Sequence, residues 1–175
     1  MEWLLTNIAP AFPVTQYRDV FTLTMSSIKY FNRTALKSSV EKLGFGAELR
    51  PLEAIYQDEL YRSCFSLLGH IYLTSEWSGK EKNGRIDFLV RSVKWGIECV
   101  RDEAKLQEHI GRFAKGGRYD PWIVSGQMKD YILLDFRRSI PRMPQGMLRL
   151  FLYLSPDGAN IKSSYTHSLA IPYYF

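Results

Sequence analysis

The sequence is poor in the residues that staple or anchor a chain. It has two cysteines, Cys64 and Cys99, far apart and in apolar surroundings. A disulfide framework is therefore excluded, and both read as buried core thiols of an intracellular protein. No Cys/His group has zinc spacing. No apolar run approaches the roughly 18 residues of a spanning helix, so no membrane partner is expected. The start, MEWLLTNIAPAF, has no basic region, and Asn7 and Pro10 interrupt it, so it does not read as a secretory signal. There is no internal repeat, no low-complexity tract, no GxGxxG, no P-loop and no nucleophile elbow. The GFG at Gly44–Gly46 reads as a turn.

What is present is a chain of 175 residues, 46% hydrophobic and 23% charged, with aromatics at 14% and 11 tyrosines. That is one domain's length, and such a chain buries about 70% of its extended surface without needing a metal or cross-link. Lysine plus arginine number 23 against 18 acidic residues, a net +5. Such a balance suits a polyanionic partner, although many soluble domains carry it without one.

Residues 1–50 read as a helical leader, with Thr15–Lys37 moderately helical. Pro51 is expected to open a helix. Leu52, Tyr56, Leu60, Cys64 and Leu67 fall at i, i+4, i+8, i+12 and i+15, one apolar face of a helix that Gly69 ends. Residues 70–76 read as a strand, and RIDFLVRS and KWGIECVR as two more. Asp102 is a plausible cap for a helix to about Lys115. DYILLDFR (Asp130–Arg137) is a strand buried on both faces, and Met147–Leu154 another. The fold class is α/β (α+β): a helical leader, then helix, three strands, helix and two strands, with a mixed sheet flanked by helices. The whole is a single domain, with a core at 51–137 and a C-terminal strand and tail at 138–175.

The two middle strands carry the chemistry. In the first, Ile86, Phe88 and Val90 are expected on one face and Arg85, Asp87, Leu89 and Arg91 on the other. In the second, Trp95, Ile97 and Cys99 oppose Lys94, Gly96, Glu98 and Val100. A turn of two or four residues at Arg91–Lys94 pairs Leu89 with Gly96 and sets Asp87 opposite Glu98, Cβ atoms about 4.5–5.5 Å apart. Like charges so placed repel. Either a hard divalent cation sits between them or one carboxylate turns to Arg85, Arg91 or Lys94. In the next helix, Leu106, Ile110 and Phe113 form an apolar stripe. Lys105, His109 and Arg112 form a basic one, suited to phosphate contacts or simply to solvent.

The run from Gly84 to Phe113, GRIDFLVRSVKWGIECVRDEAKLQEHIGRF, resembles the core of the PD-(D/E)XK, restriction-endonuclease-like, nuclease superfamily. More narrowly, it is similar to the nuclease-like C-terminal domains of Crinkler-type effectors of fungi and oomycetes. The resemblance covers Leu52–Arg137. It puts Asp87 at the family's aspartate, Glu98 at its acidic position and Glu59 at the glutamate of the preceding helix. It implies that these three hold Mg²⁺ or Mn²⁺. Lys105 and His109 then fit the polar position of the following helix. The family's lysine is replaced by Val100, which leaves Lys105 or Arg85 to supply the catalytic cation, Lys94 being a further candidate. Arg101 lies near in sequence but on the opposite strand face.

The resemblance implies a metal-dependent nuclease acting on nucleic acid, above all DNA, as an effector domain inside a host cell, in its nucleus. Lys105, His109, Arg112, Lys115 and Arg118 would grip the backbone. It equally accommodates a degenerate module that binds nucleic acid or a host protein without cleavage. The exposed aromatics expected at Trp77, Trp122 and the YYF tail point that way. A third reading is an interaction domain whose carboxylates are structural. Many members of the superfamily dimerise, so a homodimer is among the arrangements it implies.

Overall fold

In a computed structural model of the chain, the described residues are 11–38, 40–42, 49–51, 53–69, 73–79, 84–101, 105–137, 149–154 and 161–166. Helix α1 (Val20–Lys29) begins where the Asp19 carboxylate accepts the Thr22 N–H at 2.7 Å. It buries Val20, Leu23 and Ile28. Its buried hydroxyls, Thr24 and Ser27, bond back to the carbonyls of Val20 and Leu23, and Ser27 Oγ also lies 3.1 Å from Cys64 Sγ. Helix α2 (Arg33–Ser38) follows after a break.

Strands β1 (Val40–Lys42) and β2 (Leu49–Pro51) then pair antiparallel. The expected helical leader therefore ends in a two-stranded ribbon. Pro51 closes β2 and does not open a helix. Proline can serve at a strand end because it lacks only the donor that the ladder no longer needs there.

Helix α3 (Glu53–Leu68) carries the expected face, burying Tyr56, Leu60, Cys64 and Leu68. Gly69 ends it at φ +63°, a conformation that costs other residues more. The main sheet comprises β3 (Leu73–Trp77), β4 (Ile86–Val90), β5 (Trp95–Arg101), β6 (Asp130–Arg137), β7 (Arg149–Leu154) and β8 (Ile161–Thr166), in that spatial order. The first three strands form an antiparallel meander. β6 runs parallel to β5, β7 parallel to β6, and β8 antiparallel to β7.

The parallel β5–β6 step needs a crossover. It is made by α4 (Leu106–Phe113) and α5 (Asp120–Val124). Helix α5 and strand β8 were not expected from the sequence. Asp102 lies outside the described residues. Lys105, at φ +53°, immediately precedes α4.

Helices pack on both sides of this mixed sheet. On one side α1 and α3 bury Leu23, Tyr56 and Leu60 against Phe88, Val90, Ile97, Cys99, Ile132 and Leu134. On the other, Phe113, Tyr119 and Trp122 cover Ile86 and Met128, and Leu106 covers Val100 and Leu133. The strand β6 is buried from Ile132 to Phe136, as its continuous apolar run implies. Both cysteines are free and buried. Burial raises the Cys64 thiol to about 11 and the Cys99 thiol well above its usual value, so neither is a ready nucleophile. Among the described residues no helix is long and apolar enough to cross a membrane.

Candidate functional site

The β4–β5 hairpin has the expected register: Val90 pairs with Trp95, Leu89 with Gly96 and Phe88 with Ile97 across a four-residue loop, Arg91–Lys94. Continued by one step, this register sets Asp87 against Glu98. The ladder stops there instead, because the Asp87 carboxylate accepts the Cys99 N–H at 2.6 Å. A side-chain oxygen thus takes a donor that would otherwise pair with the β4 backbone. The face alternation breaks at the same point. Phe88 and Val90 pack under α1 and α3, whereas Ile86 packs with Tyr119 and Trp122. The expectation that Ile86 shares their face is corrected by this switch. On the neighbouring strand the break coincides with Glu76, at φ +47°.

Glu98 is 1% exposed and is held from the α4–α5 side. Its Oε1 is 2.7 Å from both His109 Nδ1 and Arg112 Nη1, and Oε2 lies 3.2 Å from the Tyr119 hydroxyl. The Tyr119 hydroxyl shares its one proton between Glu98 and the Arg85 carbonyl, the nearer acceptor. Arg112 reaches outward through Nη2 to Glu108 at 2.7 Å. The basic stripe of α4 is therefore divided. His109 and Arg112 turn inward to Glu98, so their expected phosphate-gripping role is not what this arrangement shows. Lys105 stays exposed, as do Lys115 and Arg118. A buried carboxylate needs such partners, since burying it alone costs several kcal/mol or more.

Asp87 carries the clearest electrostatic signature. Burial, then the nearby Glu98 charge, raises its carboxyl to about 7. The Cys99 N–H and His109 oppose the rise, and Glu53 adds to it. Glu53, in the first turn of α3, is itself raised by burial and by Glu98, against the pull of Arg101 and His109. Three carboxylates from α3, β4 and β5 therefore share one electrostatic neighbourhood. Among the described residues no group of three or more His, Cys, Asp and Glu is arranged as a metal-ligand set. The donor chemistry nonetheless suits a hard cation. All three offer oxygen, and a divalent ion would relieve the repulsion that lifts Asp87.

Other expected site residues are placed elsewhere. Glu59 accepts from Arg62 Nη2 at 2.7 Å and from the Asn32 N–H, tying α3 to the turn before α2. It lies six residues beyond Glu53, about 240° around the helix. The α3 acid that couples to Asp87 and Glu98 is therefore Glu53. Arg85, expected as a catalytic cation, pairs with Glu76 at 2.7 Å and is 67% exposed. Lys94 donates to the Gly126 carbonyl at the far end of the hairpin. Val100, where the resemblance would expect a lysine, is 1% exposed and packs with Leu106 and Leu133. Asp135 of β6, paired with Val100 in the parallel register, is likewise 1% exposed. Trp122 is fully buried, correcting its expected exposure, and Trp77 meets it edge-on at 4.8 Å. The YYF tail lies outside the described residues.

Sequence reading missed Tyr119, because GGRYDP reads as a helix stop. The signal was the proline after Tyr-Asp, at home in the first turn of the next helix. Comparison of the chain with family models, with curated proteins and with solved structures returns no match.

Proposed function

We propose that the chain is a metal-dependent nucleic-acid phosphodiester hydrolase of restriction-endonuclease-like type, acting on DNA as an effector domain in the nucleus of a host cell. One observation carries the reading: Asp87 and Glu98 stand on adjoining strands of a mixed sheet, Glu53 is coupled to both, and Asp87 is raised to about 7. Perturbed carboxylates clustered in this way are the usual mark of a chemical site.

Asp87, Glu98 and Glu53 would hold Mg²⁺ or Mn²⁺. The ion would polarise the phosphoryl oxygen and lower the pKa of the attacking water. Arg112, His109 and Tyr119 fix Glu98 and keep its orientation when substrate arrives. Lys105, Lys115 and Arg118, all exposed, serve the phosphate backbone without reading bases.

The test is cleavage of plasmid and oligonucleotide DNA with Mn²⁺. Activity is expected to vanish in Asp87→Asn and Glu98→Gln and to persist in Glu59→Gln. Full activity in Asp87→Asn overturns the reading.

A second reading, binding without turnover, is favoured by Val100 and by the commitment of Glu98 to three partners. It predicts nucleic-acid or host-protein binding by a wild type that cleaves under no divalent metal.

A further inference from the structure

Beside Asp87, between α3 and the β3–β4 edge, lies an open pocket of about 260 Å³. Its charge runs against that of the chain, which is net +5. Three carboxylates, Asp58, Glu76 and Asp87, reach it from α3, β3 and β4. Among the described residues one cation is paired with them: Arg85 Nη1 is 2.7 Å from Glu76, and that side chain is 67% exposed. Asp58 has no ionic partner among the described residues. Asp87 accepts the Cys99 N–H. The pocket therefore stays negative, even when Asp87 carries a proton. Its second feature is aromatic. Tyr61, one turn from Asp58 on the same face of α3, is 43% exposed. Its ring is tilted at 34° over the buried Phe88, centroids 6.4 Å apart.

Carboxylates beside an exposed ring, in a concave wall, repel phosphate and attract an organic cation. The carboxylates accept its N–H donors, and the ring face attracts its charge. Guanidinium suits both features. It is planar, forks onto carboxylates, stacks on rings and sheds water more readily than ammonium. The metal centre proposed at Asp87, Glu98 and Glu53 leaves Asp58, Glu76 and Tyr61 without a role. The size of the pocket points to the source of the cation. At about 260 Å³ and open to solvent, it is smaller than the roughly 300–1,000 Å³ that encloses a small-molecule ligand. It admits one side chain and leaves the rest of its bearer outside. Among the described residues β3 is the outermost strand on this side of the sheet, so a protein segment can reach the pocket from the molecule's rim.

We propose that this pocket docks an arginine side chain from a basic segment of a partner protein, its guanidinium held by Asp58 and Asp87 and set against the Tyr61 ring. This names the chemistry of the protein bound in the second reading above and rests on that reading. It needs neither turnover nor a metal.

The experiment is fluorescence anisotropy in chelator, using a labelled, end-blocked peptide of alternating arginine and glycine. A second peptide carries citrulline in place of arginine, which keeps the shape and removes the charge. The wild type is expected to bind the arginine peptide and to prefer it roughly tenfold or more. Asp58→Asn and Tyr61→Leu should each weaken that binding roughly threefold or more, and Asp58→Lys should abolish it. Both positions are exposed, so the thermal midpoint should stay put. Glu108→Gln, which removes an exposed carboxylate from α4, should not change binding. Equal binding of both peptides, or binding indifferent to Asp58→Lys and Tyr61→Leu, overturns the pocket and leaves a protein-binding module whose surface lies elsewhere. Tighter binding of spermidine, lost in Asp58→Lys, assigns the pocket to a free polyamine and also overturns the proposal. No binding of either peptide by the wild type overturns it too, and cleavage with Mn²⁺ then decides separately whether the phosphodiester reading stands.

Discussion

At the scale of single residues, the pair Glu98–Arg112 decides how the centre of the molecule holds together. Glu98 is almost wholly buried, and Arg112 is its guanidinium partner. Removing one member of such a pair strands the other charge. Arg112→Leu is expected to cost about 3–5 kcal/mol in denaturant unfolding. The double variant Glu98→Leu/Arg112→Leu should recover much of that loss. If the single variant is neutral, Glu98 is not held as described.

Glu59 gives a second residue-scale prediction. Burial pushes its carboxyl up, but Arg62 and the Asn32 N–H outweigh this and hold it below its usual value. The unfolded chain thus takes up the proton at higher pH than the folded one. The stabilisation is complete above the ordinary glutamate range and disappears as the pH falls through the folded value. Glu59→Gln should therefore flatten the acid limb of stability against pH, leaving neutral-pH metal binding intact. A variant that loses metal binding instead would put Glu59 back in the site.

At the scale of elements, the hairpin register was legible because alternation on two strands and a short loop leave little freedom: a one-residue slip would turn Glu98 and Gly96 to the opposite face. Gly96 shows why that register is kept. A Cβ there would lie 2.6 Å from Ile86 Cδ1 and press on Met128 Sδ. Gly96→Ala should cost about 1–3 kcal/mol by overpacking, read as a lower thermal midpoint. An unchanged midpoint would mean that Gly96 packs against Ile86 and Met128 more loosely than described.

The α3 acid was not legible. Glu53 and Glu59 both lie on a helix of known extent, yet which one meets the sheet's site end depends on how α3 is rotated against α1. That rotation comes from tertiary packing, with Tyr56, Leu60 and Cys64 turned inward. Likewise the stripe Lys105–His109–Arg112 could be read as a stripe. Only the docking of Leu106 and Phe113 on the sheet reveals that two of its members face a buried carboxylate. The break in β4 was hidden because it arises from a side chain, Asp87, replacing a backbone acceptor.

At the scale of the whole molecule, a mixed sheet between helical layers places acids from α3, β4 and β5 at one end. Lys105, Lys115 and Arg118 remain exposed on the α4–α5 side. The chain's net charge is +5. Backbone contacts of this kind release counterions, so affinity for nucleic acid should fall steeply with salt. Replacing Lys105, Lys115 and Arg118 together with glutamate should weaken binding to all sequences alike and shallow the salt slope. A change confined to one sequence would contradict backbone recognition.

The central claim is that Asp87, Glu98 and Glu53 form one cation site, and calorimetric titration with Mn²⁺ tests it most directly. The account predicts binding by the wild type and by Glu59→Gln, and its loss in Asp87→Asn and Glu53→Gln. Absence of binding by the wild type, or undiminished binding by Asp87→Asn, would contradict it.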